Sequence, residues 1–153
     1  MDISNSLSPS RSICKTTGGS KKRVLEHTAK TIADDYPALS ADDLFRELIN
    51  RERLGSTGIG QGIAIPHCRV SNCPRAVGVL LTLSDPVDFE SVDDKPVDII
   101  FALLVPDEAH EQHLQTLAAL AQAFSNEDNL NALRDSQTNE ELYETASIIF
   151  EKI

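Results

Sequence analysis

A mixed β-sheet flanked by helices on both faces, an α/β fold, is what this sequence predicts. Three observations lead there. Helical patterns stand before and after the strand patterns, in the order helix, helix, strands, helix, helix. Residues 76–83 and 97–105 are near-continuous apolar runs, the mark of central strands covered on both sides. The flanking segments carry their apolar residues on one stripe at helical spacing.

Residues 1–20 are polar and close on Gly18-Gly19. They read as a loosely ordered lead-in, with Ile3, Leu7 and Ile13 available to dock on the body, ahead of a single domain over residues 21–153. Ser20 suits an N-cap, and Val24, Leu25, Thr28, Ala29 and Ile32 share one face of the helix behind it, which Pro37 ends. Ser40 starts a second helix with Asp43 at the capping-box position. Its buried face is Leu44, Phe45, Leu48 and Ile49, and Gly55 stops it. Residues 63–65 read as a short strand that ends before Pro66 and His67. After the two long strands, Asp107 suits the cap of a third helix reaching about Phe124, striped by His113, Leu117, Leu120 and Phe124. A short helical piece around residues 130–133 follows, and Thr138 with Glu141 opens the last helix.

The 153-residue length suits one domain. A formal net charge of −10 excludes general nucleic-acid binding, which needs a basic surface, and favours partners with basic faces. No apolar run approaches the roughly 18 residues of a membrane span, so no membrane insertion is expected. The first twenty residues hold no apolar core of a secretory signal, so the cytoplasm is the expected location. Cys14, Cys68 and Cys73 are odd in number and irregularly spaced, which predicts reduced thiols rather than a disulfide framework.

Four groups of residues carry potential chemistry. His67 follows a proline at a strand end, where an unprotonated ring nitrogen is a nucleophile near neutral pH, although a histidine there can equally be a plain strand terminus. The preceding stretch holds Gly55, Gly58, Gly60 and Gly62. It is neither a P-loop nor a dinucleotide fingerprint. Its glycines are either turn residues or a backbone cradle for an anion, in which Ser56 and Thr57 add hydroxyls and Gly58 close approach. His113 lies on the apolar stripe of its helix, either as a satisfied core residue or as a functional one. With His67 and His110 it could also form a metal site, a remote alternative with no obvious further ligand. Arg51 and Arg53 either serve the dipole of the second helix or hold an anion through a guanidinium.

Taken together, these residues resemble a known family. The stretch Asn50-Arg-Glu-Arg-Leu-Gly-Ser-Thr-Gly-Ile-Gly-Gln-Gly-Ile-Ala-Ile-Pro-His67 is similar to the active-site signature of the mannitol/fructose-type EIIA proteins of the bacterial phosphoenolpyruvate-dependent phosphotransferase system, and in particular to their nitrogen-regulatory branch. Arg75-Ala-Val-Gly-Val, Pro96-Val-Asp-Ile-Ile-Phe-Ala-Leu-Leu-Val-Pro106, His113-Leu-Gln-Thr-Leu and Glu140-Glu-Leu-Tyr143 agree with it. The resemblance runs from about Lys21 to the C-terminus and implies a mannitol-EIIA-like sandwich. It implies that His67 is phosphorylated on Nε2, that His113 stands opposite, and that Arg51 lies by the phosphoryl oxygens. It implies an HPr-like protein as donor, no cofactor and no metal, and potassium-transport components or sensor kinases as regulatory targets. The alternative role is a sugar-transport relay to an EIIB domain. One position departs from the pattern: Cys68 stands where the family usually has glycine, and a thiol beside the nucleophile suggests mild redox sensitivity.

Overall fold

The structure, a computed structural model, describes residues 3–107 and 110–153, with the backbone alone for residues 110–113. Among the described residues, six strands form one mixed sheet: β1 (Ser12–Thr16), β2 (Gly58–Gly60), β3 (Ile63–Ala64), β4 (His67–Val70), β5 (Val77–Val87) and β6 (Val97–Pro106). The helices are α1 (Lys21–Asp35), α2 (Ala41–Leu54), α3 (His110–Ala123), α4 (Glu127–Asp135) and α5 (Asn139–Glu151).

The two apolar runs occupy the centre, as their composition predicts: β5 pairs antiparallel with β6. β1 lies parallel on the outer side of β5. β3 and β4 follow one another along the other side of β6, both parallel to it, and β2 pairs antiparallel outside β3.

Alternation along β5 and β6 sends side chains into two cores. Val77, Val79, Leu81, Ile100, Ala102 and Leu104 meet Val24, Leu25, Ile32, Leu44 and Leu48 of α1 and α2. Leu80, Ile99, Phe101, Leu103 and Val105 meet Leu120 and Phe124 of α3, Leu130 and Leu133 of α4, and Leu142, Ile149 and Phe150 of α5. Phe101, Phe124 and Phe150 pack as a trio of tilted and edge-on rings, with centroids 5.2 to 6.1 Å apart. The helix starts follow local sequence: the side chains of Ser20, Ser40 and Thr138 accept from the N–H groups of Arg23, Asp43 and Glu141. The cap of α3 expected at Asp107 borders residues outside the described ones.

The lead-in expected over residues 1–20 is not loose where it is described, from residue 3 on. They form 3-10 turns at Ser4–Ser6 and Pro9–Arg11 and then the edge strand β1. Ile3 and Leu7 are buried in the second core. Arg11 is buried too, and its guanidinium donates to the carbonyls of Gly78 and Ser6 and to Asp35 at 2.7 to 3.0 Å. A five-residue strand with one apolar side chain has no readable period; it is stabilised by its partner β5 and by this buried cation.

Candidate functional site

The site forms where the last turn of α2 meets the start of β4. Pro66 has no N–H to give the ladder, so the strand breaks there. Ile65 N–H turns to Thr57 O at 2.9 Å, while Pro66 O still accepts from Leu103 N. His67 therefore opens β4 opposite Leu103, rather than following the end of a strand as its sequence position suggested.

The ring of His67 is held at both nitrogens. Nδ1 lies 2.7 Å from Ile65 O, and Arg51 Nε donates to Nε2 across 3.3 Å. A carbonyl can only accept and a guanidinium can only donate, so the proton sits on Nδ1 and the lone pair on Nε2. The half-buried ring titrates below its ordinary value, mainly because burial disfavours the cation; the Arg51 charge adds to this, and the Ile65 carbonyl and the Glu52 charge oppose it. Arg51 is fixed in turn by donating from Nη1 to Gly55 O at 2.9 Å. Arg53, two residues on, is exposed and its guanidinium instead reaches Asn50 Oδ1 at 3.5 Å.

The glycine stretch does not offer the donors expected of it. Thr57 N–H and Oγ1 both donate to the Glu52 carboxylate. Ser56 Oγ donates to Phe89 O and accepts from Gly58 N–H. The hydroxyls of Ser56 and Thr57 and the amide of Gly58 thus build the loop rather than cradle an anion. Glu52, which sequence reasoning passed over, is buried and paired with Lys21 Nζ at 3.1 Å. Its signal was present: an acid in the last turn of a helix opposes the dipole.

The redox sensitivity expected of Cys68 is overturned. Alternation along β4 puts its side chain in the core beneath α1 and α2, 8% exposed. Burial, helped by the charge of Glu47 and by Cys73, pushes the thiol up to about 12, where thiolate is negligible at neutral pH. The side chains of His110 and His113 lie outside the described residues. Among the described residues, no group of three or more His, Cys, Asp or Glu side chains is placed to hold a metal ion, and no helix is long and apolar enough to cross a membrane.

A profile of the family described as "Phosphoenolpyruvate-dependent sugar phosphotransferase system, EIIA 2" matches residues 6–148. The chain belongs to this family. The EIIA match begins well before residue 21, in agreement with the ordered N-terminal segment. Relatives include nitrogen regulatory proteins: that of Pseudomonas aeruginosa is 47% identical over 138 residues, covering 90% of both chains. That of Escherichia coli K12 is 42% identical over 126 residues, covering 82% of this chain and 77% of the relative. The crystal structure of nitrogen regulatory protein IIA-Ntr from Neisseria meningitidis superposes with a TM-score of 0.87 at 38% identity, over 94% of this chain and 97% of that one. The mannitol IIA of E. coli shares the fold, with a TM-score of 0.73 at 17% identity over 91% of this chain and 97% of that one. The α/β sandwich and the EIIA resemblance read from sequence therefore both hold.

Proposed function

We propose that this EIIA protein takes a phosphoryl group onto His67 Nε2 from an HPr-like donor in the cytoplasm and acts mainly as a phosphorylation-dependent regulator. The observation that carries the reading is the ring itself: a neutral imidazole whose lone pair is placed on Nε2 by the Nδ1 bond to Ile65 O, with a guanidinium beside it. In the transfer, the donor's N–P bond breaks and the Nε2–P bond forms. The phosphorus passes in line between two nitrogens, and the electron pair of the broken bond returns to the donor's ring. The proton stays on Nδ1 throughout, donated to the Ile65 carbonyl. Arg51 exchanges its weak bond to Nε2 for the arriving phosphoryl oxygens, and the resemblance gives His113 a matching role from the opposite side.

Two features support regulation. A phosphoryl group adds about two negative charges at one point of the surface, enough to make or break an interface. The elements around the site also present apolar side chains to solvent: Leu54 closes α2, Ile59 lies on β2, and Val92 hydrogen-bonds through its N–H to Gly58 O. The nitrogen regulatory relatives point the same way, and the family resemblance suggests potassium-transport components or sensor kinases as targets.

Incubation with phosphoenolpyruvate, enzyme I and the HPr-like carriers of the same cell, followed by site mapping, tests the reading. Phosphate is expected on His67 and on no other residue. His67→Ala should abolish it, and His113→Ala should slow it by roughly a hundredfold, the loss of about 3 kcal/mol of transition-state stabilisation, with the fold intact. Phosphate on a different residue sinks the assignment. Protein capture comparing phosphorylated wild type with His67→Ala then addresses regulation: identical partner sets speak against it, and onward transfer to an EIIB protein would assign the relay role instead.

A further inference from the structure

Glu52 runs against its local surroundings in two ways. It lies in the last turn of α2, where the helix dipole disfavours a negative charge, and it is buried. A buried carboxylate is tolerated only when donors surround it. Here the two oxygens accept from Thr57 N–H at 2.9 and 3.2 Å, from Thr57 Oγ1 at 2.7 Å and from Lys21 Nζ at 3.1 Å. Lys21 is itself held by Phe89 O at 3.3 Å and lies 5.4 Å from the centre of the Phe89 ring. The start of α1, the end of α2 and the loop after it meet at one carboxylate.

We propose that Glu52 is a positioning residue for phosphoryl transfer, clasping Thr57 so that the Arg51 guanidinium and the His67 ring are held in register with each other. This rests on His67 being the acceptor. One arm of the clasp is the helix turn. The last carbonyls of a helix have no partners within it, and the turn frays unless something closes it. Gly55 leaves α2 in extended conformation, and a single backbone bond, Gly55 N to Glu52 O at 3.2 Å, ties it back. The bonds that Thr57 donates to the Glu52 carboxylate close the turn that carries Arg51. The other arm runs through Thr57, whose carbonyl accepts from Ile65 N at 2.9 Å. The Ile65 carbonyl then fixes His67 Nδ1. Both partners of the contact at Nε2 are thus referred to the same carboxylate.

Two variants test this. Glu52→Gln keeps the size but loses the ion pair with Lys21 and cannot accept from every donor now present; Thr57→Val removes only the hydroxyl donor. The first readout is hydrogen exchange of Arg51 Nε–H, followed by NMR in unphosphorylated protein. The others are the transfer rate at saturating HPr-like donor, the donor concentration giving half that rate, and the thermal midpoint. In Glu52→Gln, exchange should quicken and the saturating rate fall, each about tenfold, with half-saturation unchanged, because a small misplacement costs rate rather than encounter. Thr57→Val should move the same two quantities about threefold, and it decides the matter alone if Glu52→Gln does not fold. A purely structural Glu52 would lower the thermal midpoint and leave exchange and saturating rate at wild-type values, and that result overturns the proposal. Wild-type protein that takes no phosphate on His67 overturns the reading of function and the positioning role of Glu52 in transfer with it; the exchange measurement still shows separately whether the clasp holds Arg51.

Discussion

At the scale of single residues, the state of one ring nitrogen of His67 is set by the other. A backbone carbonyl on Nδ1 selects the tautomer, and burial keeps the ring neutral. The folded state therefore prefers the uncharged ring. Its contribution to stability is whole above the ordinary value of 6.5 and is lost as pH falls through the lowered folded pKa. An NMR titration should put the His67 midpoint below 6.5, and Arg51→Gln should raise it by removing a repelling charge. A wild-type midpoint at or above 6.5 contradicts the burial argument. The neighbouring thiol shows the opposite outcome of the same physics. Burial that leaves an imidazole nucleophilic makes Cys68 inert, because desolvation removes the charged form in each case and only the thiol needs its charge to react.

At the scale of elements, the caps were legible because they are local: Ser20, Ser40 and Thr138 each satisfy an N–H three residues on. β2 and β4 were not. Gly58–Gly60 has almost no side-chain pattern, and β4 is an edge strand whose pairing depends on β6, thirty-six residues away at the His67–Leu103 pair. One glycine does have a legible consequence once the sheet is formed. A Cβ on Gly78 would sit 2.8 Å from Phe101 Cζ, a ring of the aromatic trio, and 3.1 Å from Ser6 Oγ. Gly78→Ala should cost about 1–3 kcal/mol through overpacking, measured as a lower urea midpoint with an unchanged slope. A variant as stable as wild type would show that Phe101 has room to yield.

For the whole molecule, the N-terminal segment is part of the fold. β1 covers the edge of β5, and Arg11 bridges that strand to Asp35 at the end of α1. Deleting residues 1–16 should bare the β5 edge and leave Asp35 without its cation. The expected result is a clearly lower thermal midpoint and concentration-dependent association, read by light scattering. A truncated protein that associates no more than the full chain and has an unchanged midpoint would return the segment to the status of an appendage. The site feels the same global arrangement: α2 brings Arg51 and Glu52 to a strand that begins only after Pro66 has broken the ladder.

By itself the sequence determined the sandwich, its two central strands, the family and the starts of α1, α2 and α5, and it singled out His67 as the candidate, because apolar period, capping chemistry and an ordered motif are all written in neighbouring residues. The tertiary structure decided which nitrogen of His67 carries the proton, which of two nearby arginines faces the ring, that the Ser56 and Thr57 hydroxyls serve the loop, that Glu52 anchors it, and that Cys68 is buried. Each of these is a question of which partner a polar group finds across the fold, and burial and pairing are set by residues distant in the chain.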